Sequence, residues 1–257
     1  MHWREKPTGQ HMELGIAETN LVGLMGELGA TWSRWGPATL PYRRDVRPFI
    51  ERALEPWSYG IYAGGQSIMV GTPSGVTLAA EGGAHQSIKT PPSIGLEQPG
   101  CVSFEPAFAV DVEWTLLDSI GRLGRPDGSS SYLRLSTRPV DQALAAVPTD
   151  PAARERRRRQ VVAGAYTLRH NPDPAVTLVG MGATVTETLV AAERLGEQGI
   201  SADVVCVTSP PACSSKHSSL GAVSRTVRRG SWIRSFRAAG PRRWSPFSTG
   251  TRTPSRS

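Results

Sequence analysis

Two residues in the first third of the chain have the types and surroundings to move protons, Glu18 and His85. From Leu14 to Leu28, the residues Leu14, Ala17, Leu21, Leu24, Met25 and Leu28 recur at helical spacing and predict one apolar stripe on a helix. Glu13 and Glu27 fall away from that stripe. Glu18 lies at its edge, one turn from Leu14 and from Leu21 or Val22, where a carboxylate is partly withdrawn from water and better able to hold a proton. His85 stands in a Gly-rich polar loop whose small neighbours let a ligand approach closely, flanked by Glu81 and Gln86, which could orient its ring. A lone helix-edge glutamate or loop histidine is more often without a task, so the pair must be weighed together with the elements that carry it.

Those elements alternate. The apolar run Ser67 to Gly71 ends at Gly-Thr-Pro-Ser-Gly and reads as a strand followed by a turn, with the polar loop then running to Gln86. Cys101 to Phe104 reads as a strand, Phe108 to Leu123 as a helix with Val112, Leu116, Ile120 and Leu123 on one face, and Ser131 to Thr137 as a strand. Asp141 to Arg159, with Pro148, Pro151 and the charged stretch 154–159, predicts an exposed connection. Beyond it, Ala175 to Val179, Thr186 to Gln198 and Ala202 to Val207 form a β-α-β unit, with Gly180-x-Gly182 as a strand-to-helix turn lacking the third glycine of a dinucleotide fingerprint. The pattern is α/β throughout, and strand ends in such folds are where functional loops gather.

Over its 257 residues the chain carries a formal charge of +7, but the surplus is local. Residues 209–257 contain no Asp or Glu, while Lys216 and Arg225, Arg228, Arg229, Arg234, Arg237, Arg242, Arg243, Arg252 and Arg256 all lie there. The remainder is slightly acidic, as soluble enzymes often are. Cys101, Cys206 and Cys213 have no Cys-x-x-Cys spacing, so neither a disulfide framework nor a structural zinc site is expected, and no metal ligand set is read in the chain. No run reaches the ~20 apolar residues of a membrane-spanning helix, and Met1 to Gln10 has no signal-peptide core; the expected location is cytoplasmic, with no membrane partner.

Gly15-Ile16-Ala17-Glu18 resembles the Gly-x-x-Glu helix of the pyrimidine-binding domain in transketolases and homodimeric pyruvate dehydrogenases. Gly65 to Gln86, with Gly71-Thr-Pro-Ser-Gly75 and Glu81-Gly-Gly-Ala-His85-Gln86, resembles the strand and Glu-Gly-x-x-His-Gln loop of the same families. These elements are closer to the bacterial homodimeric pyruvate dehydrogenase first component than to transketolase, and the likeness runs from about Gly9 to Ser209. It implies a transketolase-type pyrimidine-binding domain, mostly parallel sheet flanked by helices, over 1–145. A linker and the first β-α-β part of a transketolase-type C-terminal domain would follow over 146–208. It also implies thiamine diphosphate, whose thiazolium carbon must lose a proton to the cofactor's own imino group. A carboxylate sharing a proton with the pyrimidine ring makes that tautomer available, and by resemblance it is Glu18. His85 would donate to the developing alkoxide of the substrate adduct, Gln86 would assist, and an aromatic among Phe49, Trp57, Tyr59 and Tyr62 would cover the ring, Phe49 being preferred, with Tyr59 retained as a second cofactor contact.

The resemblance also has gaps. The family's magnesium is held by a Gly-Asp-Gly and a later Asn in a diphosphate domain that would precede Met1, and neither motif occurs here. The expectation is a fragment that works as a homodimer or with a chain supplying that domain, and that serves a lipoyl-bearing acyltransferase. Residues 209–257 read as a disordered Ser/Arg-rich tail whose composition suits an out-of-frame reading; the Arg-rich stretch 42–47 suits a smaller, compensated one. The leading reading is a 2-oxo acid, most simply pyruvate, decarboxylating dehydrogenase component. The alternatives are transketolase-type ketol transfer, an inactive remnant, and, outside enzymes, a protein binding nucleic acid or another polyanion through its basic tail.

Overall fold

Strands buried on both faces of a parallel sheet read as unbroken apolar runs, and Ile68–Thr72 is one, buried along its whole length. The computed structural model describes residues 6, 8, 14–15, 17–36, 42–72 and 98–210, and of 42–52 the backbone alone; all belong to one compact unit, Met1–Lys216. The first sheet contains β1 (Tyr42–Val46), β2 (Ile68–Thr72), β3 (Cys101–Phe104) and β4 (Ser130–Arg134), all parallel, in the order β1-β2-β4-β3. The Arg-rich stretch at 42–46 is thus the edge strand. Three helices belong to this half: α1 (Glu18–Gly29), the short α2 (Thr31–Trp35) and α3 (Arg47–Tyr62). A fourth, α4 (Ala109–Arg122), links β3 to β4. The steps from β1 to β2 and from β3 to β4 run in opposite directions across the sheet, so right-handed crossovers put α3 and α4 on opposite faces. The cores agree: Val22, Ala53, Trp57, Met69 and Tyr132 cluster on one side, and Ile68, Val70, Phe104, Leu123 and Leu133 on the other.

The first helix begins at Glu18, not at Leu14, which is 41% exposed. Gly15, at φ +64, turns the chain, its carbonyl accepting from Ala17 N at 3.0 Å before the helix starts. The buried row is Val22, Met25 and Gly29, rotated from the expected leucine stripe because α1 packs on α3 through glycines. A Cβ on Gly26 would stand 3.1 Å from the Cα of Gly60, and one on Gly29 would stand 2.6 Å from the carbonyl oxygen of Gln66. Gly23, on the outer face, has open space around it. Gly29→Ala is therefore expected to cost about 1–3 kcal/mol through backbone overlap. Gly23→Ala should stabilise by up to ~1 kcal/mol from helix propensity. Urea unfolding of both variants checks the pair, and equal effects of one sign would contradict this packing.

The second sheet comprises β5 (Ala165–Arg169), β6 (Val176–Met181) and β7 (Ala202–Val207), in the order β5-β7-β6. Strand β6 pairs parallel to β7, and helix α6 (Val185–Glu197) links them, as the β-α-β pattern predicts. Strand β5 pairs antiparallel with β7 and carried no signal that was read.

The stretch 141–159 is a correction. Instead of a bare connection it holds a 3-10 turn (Gln142–Ala145) capped by Asp141 and a twelve-residue helix, α5 (Pro151–Val162), whose Asp150 side chain accepts from Ala153 N at 2.7 Å. Its arginines pack through their planes: Arg154 lies 5.3 Å over the Trp114 ring and Arg157 4.3 Å over Tyr166.

Helix α4 departs from its predicted face too. Its fully buried residues are Asp111, Trp114, Thr115 and Ser119, while Leu117 and Ile120 are exposed. Leu116 still packs toward the first sheet, but Trp114 joins a second cluster with Phe108, Ala145, Val161, Tyr166, Leu168, Val185, Leu189, Val204 and Cys206. The helix is thus wedged between two cores, and that second cluster draws residues from both sides of position 145.

Candidate functional site

Helices α1 and α3 end together, with Gln66 N donating to Gly29 O at 3.0 Å just past the end of α3. Since α3 runs back from the carboxyl end of β1, the first turns of both helices stand at the carboxyl edge of the first sheet. Glu18 is the first residue of α1 and is half-buried there. The first turn of α3, which contains Phe49, shares that edge, although the Phe49 side chain lies outside the described residues. The chain leaves β2 at the same edge, and Glu81, His85 and Gln86 lie outside the described residues. Topology alone therefore brings Glu18, the start of α3 and the end of β2 to one edge of the first sheet.

The other aromatics are elsewhere. Trp57 is buried and donates from Nε1 to Ser67 Oγ at 3.0 Å, a core residue with its polar atom satisfied. Tyr59 and Tyr62 are 70% and 89% exposed, and they sit near the other end of α3, ~15 Å or more along its axis from the first turn at 1.5 Å per residue. They are not brought to Glu18.

One pair at this edge was not read from the sequence. Glu105, directly after β3, accepts from Arg134, the last residue of β4, through Nε at 2.8 Å and through a second guanidinium nitrogen. Both residues are almost wholly buried. Burial pulls the Glu105 carboxyl upward from its ordinary range, against the opposing pull of the guanidinium. The pair is closed over by the second half of the chain. Glu105 N donates to Thr208 O at 2.7 Å, Ser209 Oγ donates to Ser103 O at 2.6 Å, and Gly182, at φ +51, turns so close to the Glu105 carboxylate that no side chain would fit. The available signal was a charged residue directly after one predicted strand, Glu105, and another inside a second, Arg134 within Ser131 to Thr137.

Among the described residues there is no group of His, Cys, Asp or Glu suited to hold a metal ion, and no helix is long and apolar enough to cross a membrane.

An α/β chain with a parallel sheet between helices and a second, three-stranded sheet is the architecture of transketolases. The enzyme from Leishmania mexicana superposes with a TM-score of 0.61 at 16% identity over 82% of this chain and 28% of that one, and the one from Campylobacter jejuni with 0.60 at 20% identity over 78% and 28%. Residues 164–219 match the transketolase-like C-terminal domain family, and this match continues past Ser209, where the likeness read from the residues stops.

The homologues, all at low identity, include the 6-deoxy-6-sulfo-D-fructose transketolase subunit SqwH of Clostridium sp. (strain MSTE9), 29% identical over 77% of this chain and 55% of that protein. They also include the pyruvate dehydrogenase E1 component of Buchnera aphidicola subsp. Acyrthosiphon pisum, 27% identical over 81% of this chain and 23% of that protein. The chain thus spans about half of the first relative and about a quarter of the second. A structure titled "Split gene transketolase, inactive beta4 tetramer" matches with a TM-score of 0.57 at 24% identity, covering 76% of this chain and 56% of that one.

Proposed function

We propose that residues 1–145 form the pyrimidine-binding domain of a thiamine-diphosphate enzyme, that 146–208 begin its C-terminal domain, and that it pairs with another copy or with a chain supplying the diphosphate-binding domain. The reaction is decarboxylation of a 2-oxo acid, pyruvate being the simplest, with transfer of the acyl group to a lipoyl carrier on an acyltransferase, in the cytoplasm. The observation that carries this reading is Glu18: a carboxylate in the first turn of a helix, half-buried, behind a left-handed Gly15, at the edge where parallel strands end.

That position fits a contact to a nitrogen heterocycle. A carboxylate held in the first turn of a helix can share a proton with a ring nitrogen presented to that edge. Bound thiamine diphosphate would supply the carbanion chemistry that no side chain can. Glu18 would hold the proton at the pyrimidine ring nitrogen, Phe49 would cover the ring, and His85, with Gln86 beside it, would donate a proton to the substrate oxygen. Tyr59 remains a weaker choice for cofactor contact, since it stands toward the far end of α3. Magnesium and its Gly-Asp-Gly ligands belong to the complementary domain.

Transketolase-type ketol transfer is the second reading, favoured by the Clostridium relative and by the C-terminal domain match. The test is co-expression with a chain carrying Gly-Asp-Gly and its asparagine, followed by assay with pyruvate and with ketose phosphates in the presence of thiamine diphosphate and magnesium. Carbon dioxide release from pyruvate is expected. Two-carbon transfer between sugars would move the assignment to the second reading, and no cofactor-dependent turnover of either substrate would overturn both. For the residues past the family match, 220–257, and for the stretch 42–47 we propose shifted reading frames. Translating the locus in all three frames should find a family-like continuation, and its absence would remove this explanation.

A further inference from the structure

We propose that the joint between the two sheets is a proton-linked latch, in which the second sheet holds α4 firmly while the Asp111 carboxyl is protonated and loosens its hold when that group ionises. The joint is the cluster built on Phe108 and Trp114 from the first half and on Val161, Tyr166, Val204 and Cys206 from the second. Asp111, at 1% exposure, sits among these residues. Its side chain accepts from Tyr166 Oη at 2.9 Å, and the backbone at Phe108 also donates to it.

The groups facing Asp111 come from every element packed around it. Strand β5 presents the Tyr166 hydroxyl, and β7 presents the Cys206 thiol, itself in hydrogen-bond contact with Tyr166. Helix α5 presents the Arg157 guanidinium, which lies over the face of the Tyr166 ring rather than in an ion pair with the carboxylate. On α4 itself, the Thr115 hydroxyl is turned to the Asp111 backbone carbonyl at 2.7 Å. A carboxylate so enclosed, with one neutral side-chain donor and a cation only at a distance, pays for its charge in lost hydration.

Burial accordingly raises the Asp111 carboxyl to about 6, against the opposing pulls of Tyr166 and Arg157. Burial likewise pushes Tyr166 upward and Cys206 to about 12, so neither titrates in the same range. An acid whose folded value is raised binds its proton more tightly folded than unfolded. The folded joint is therefore favoured at low pH, and its advantage falls as pH climbs from the ordinary carboxylate value near 4 through about 6. This is opposite in sign to the common acid unfolding of paired carboxylates. The joint bridges the domain carrying Glu18 and the C-terminal domain, so the latch makes their docking sensitive to pH between about 4 and about 6.

Amide hydrogen exchange on the full chain at pH 5.0 and 7.5, corrected for intrinsic exchange rates, tests the proposal. Protection of β5 and β7 is expected to fall about tenfold relative to β2 and β4 between the two pH values. In Asp111→Asn the relative fall should vanish. Tyr166→Phe removes the side-chain donor that favours the ionised form, so it should move the loosening to higher pH, and this keeps the test open if the first variant folds poorly. An equal pH response of both sheets, or the same relative fall in Asp111→Asn, or an unshifted fall in Tyr166→Phe, would overturn the latch.

Discussion

Glu105→Ala should unfold at markedly lower urea than the parent chain, with a loss of about 3–5 kcal/mol, among the largest for any single change in the described residues. Glu105 and Arg134 are 6% and 4% exposed, and the carboxylate takes two hydrogen bonds from the guanidinium. Removing the acid takes two charged hydrogen bonds from a buried cation that cannot lose its proton. The cost is that of a buried cation deprived of this carboxylate rather than the worth of the pair itself, so Glu105→Met combined with Arg134→Met should recover most of the loss. The double change would also free the seam at Gly182 and Thr208 from a buried charge without opening a large cavity. A Glu105→Ala variant within 1 kcal/mol of the parent would show that water reaches this edge and that the seam is looser than its contacts suggest.

The second large effect concerns catalysis. In an assembly that contains the diphosphate domain, Glu18→Gln should lower turnover by about 10²–10⁴-fold while leaving the fold intact, because a positioned proton-transfer group contributes that much and glutamine keeps the shape but not the proton exchange. Glu18 lies in the first turn of α1, half-buried and away from the glycine contacts at Gly26 and Gly29 that dock the helix. Unfolding midpoints of the two chains should therefore agree. Activity lost together with stability would mean that the residue serves the helix rather than the reaction.

The sequence was most legible where local pattern and tertiary role coincide. The strands at 68–72, 101–104, 130–134, 176–181 and 202–207 and the helix at 185–197 all announce themselves by period and by flanking glycines. Helix α5 did not, because its Asp150-Pro151 start was readable but its body offers arginines where an apolar stripe is sought. Arg154 and Arg157 pack by covering Trp114 and Tyr166, a role that no hydrophobic count detects.

Helix α4 misled in another way. A single-face reading chose Val112, Leu116, Ile120 and Leu123, of which Leu116 and Leu123 pack on the first sheet, but a helix between two cores buries a second face as well, and there Asp111, Thr115 and Ser119 are buried beside Trp114. Thr115 and Ser119 fold their hydroxyls back to the carbonyls of Asp111 and Thr115, and Asp111 finds Tyr166, so polarity survives inside. In α1 the tight crossing at glycines turned the helix away from its leucine stripe. Of the candidate site, a helix at Glu18 was legible, but not that the helix begins there or that its buried row is Val22, Met25 and Gly29; the Glu105–Arg134 pair was not legible, because its two members are far apart in the chain and meet only through the β3–β4 pairing.

The exchange of the proton on the thiazolium carbon of thiamine diphosphate, followed by quenched proton NMR in deuterated buffer on the complete assembly, addresses the role of Glu18 without depending on which substrate is used. The parent is expected to exchange that proton at least ~100-fold faster than Glu18→Gln. Equal exchange rates in the two, with the cofactor bound in both, would contradict the contact between this carboxylate and the pyrimidine ring.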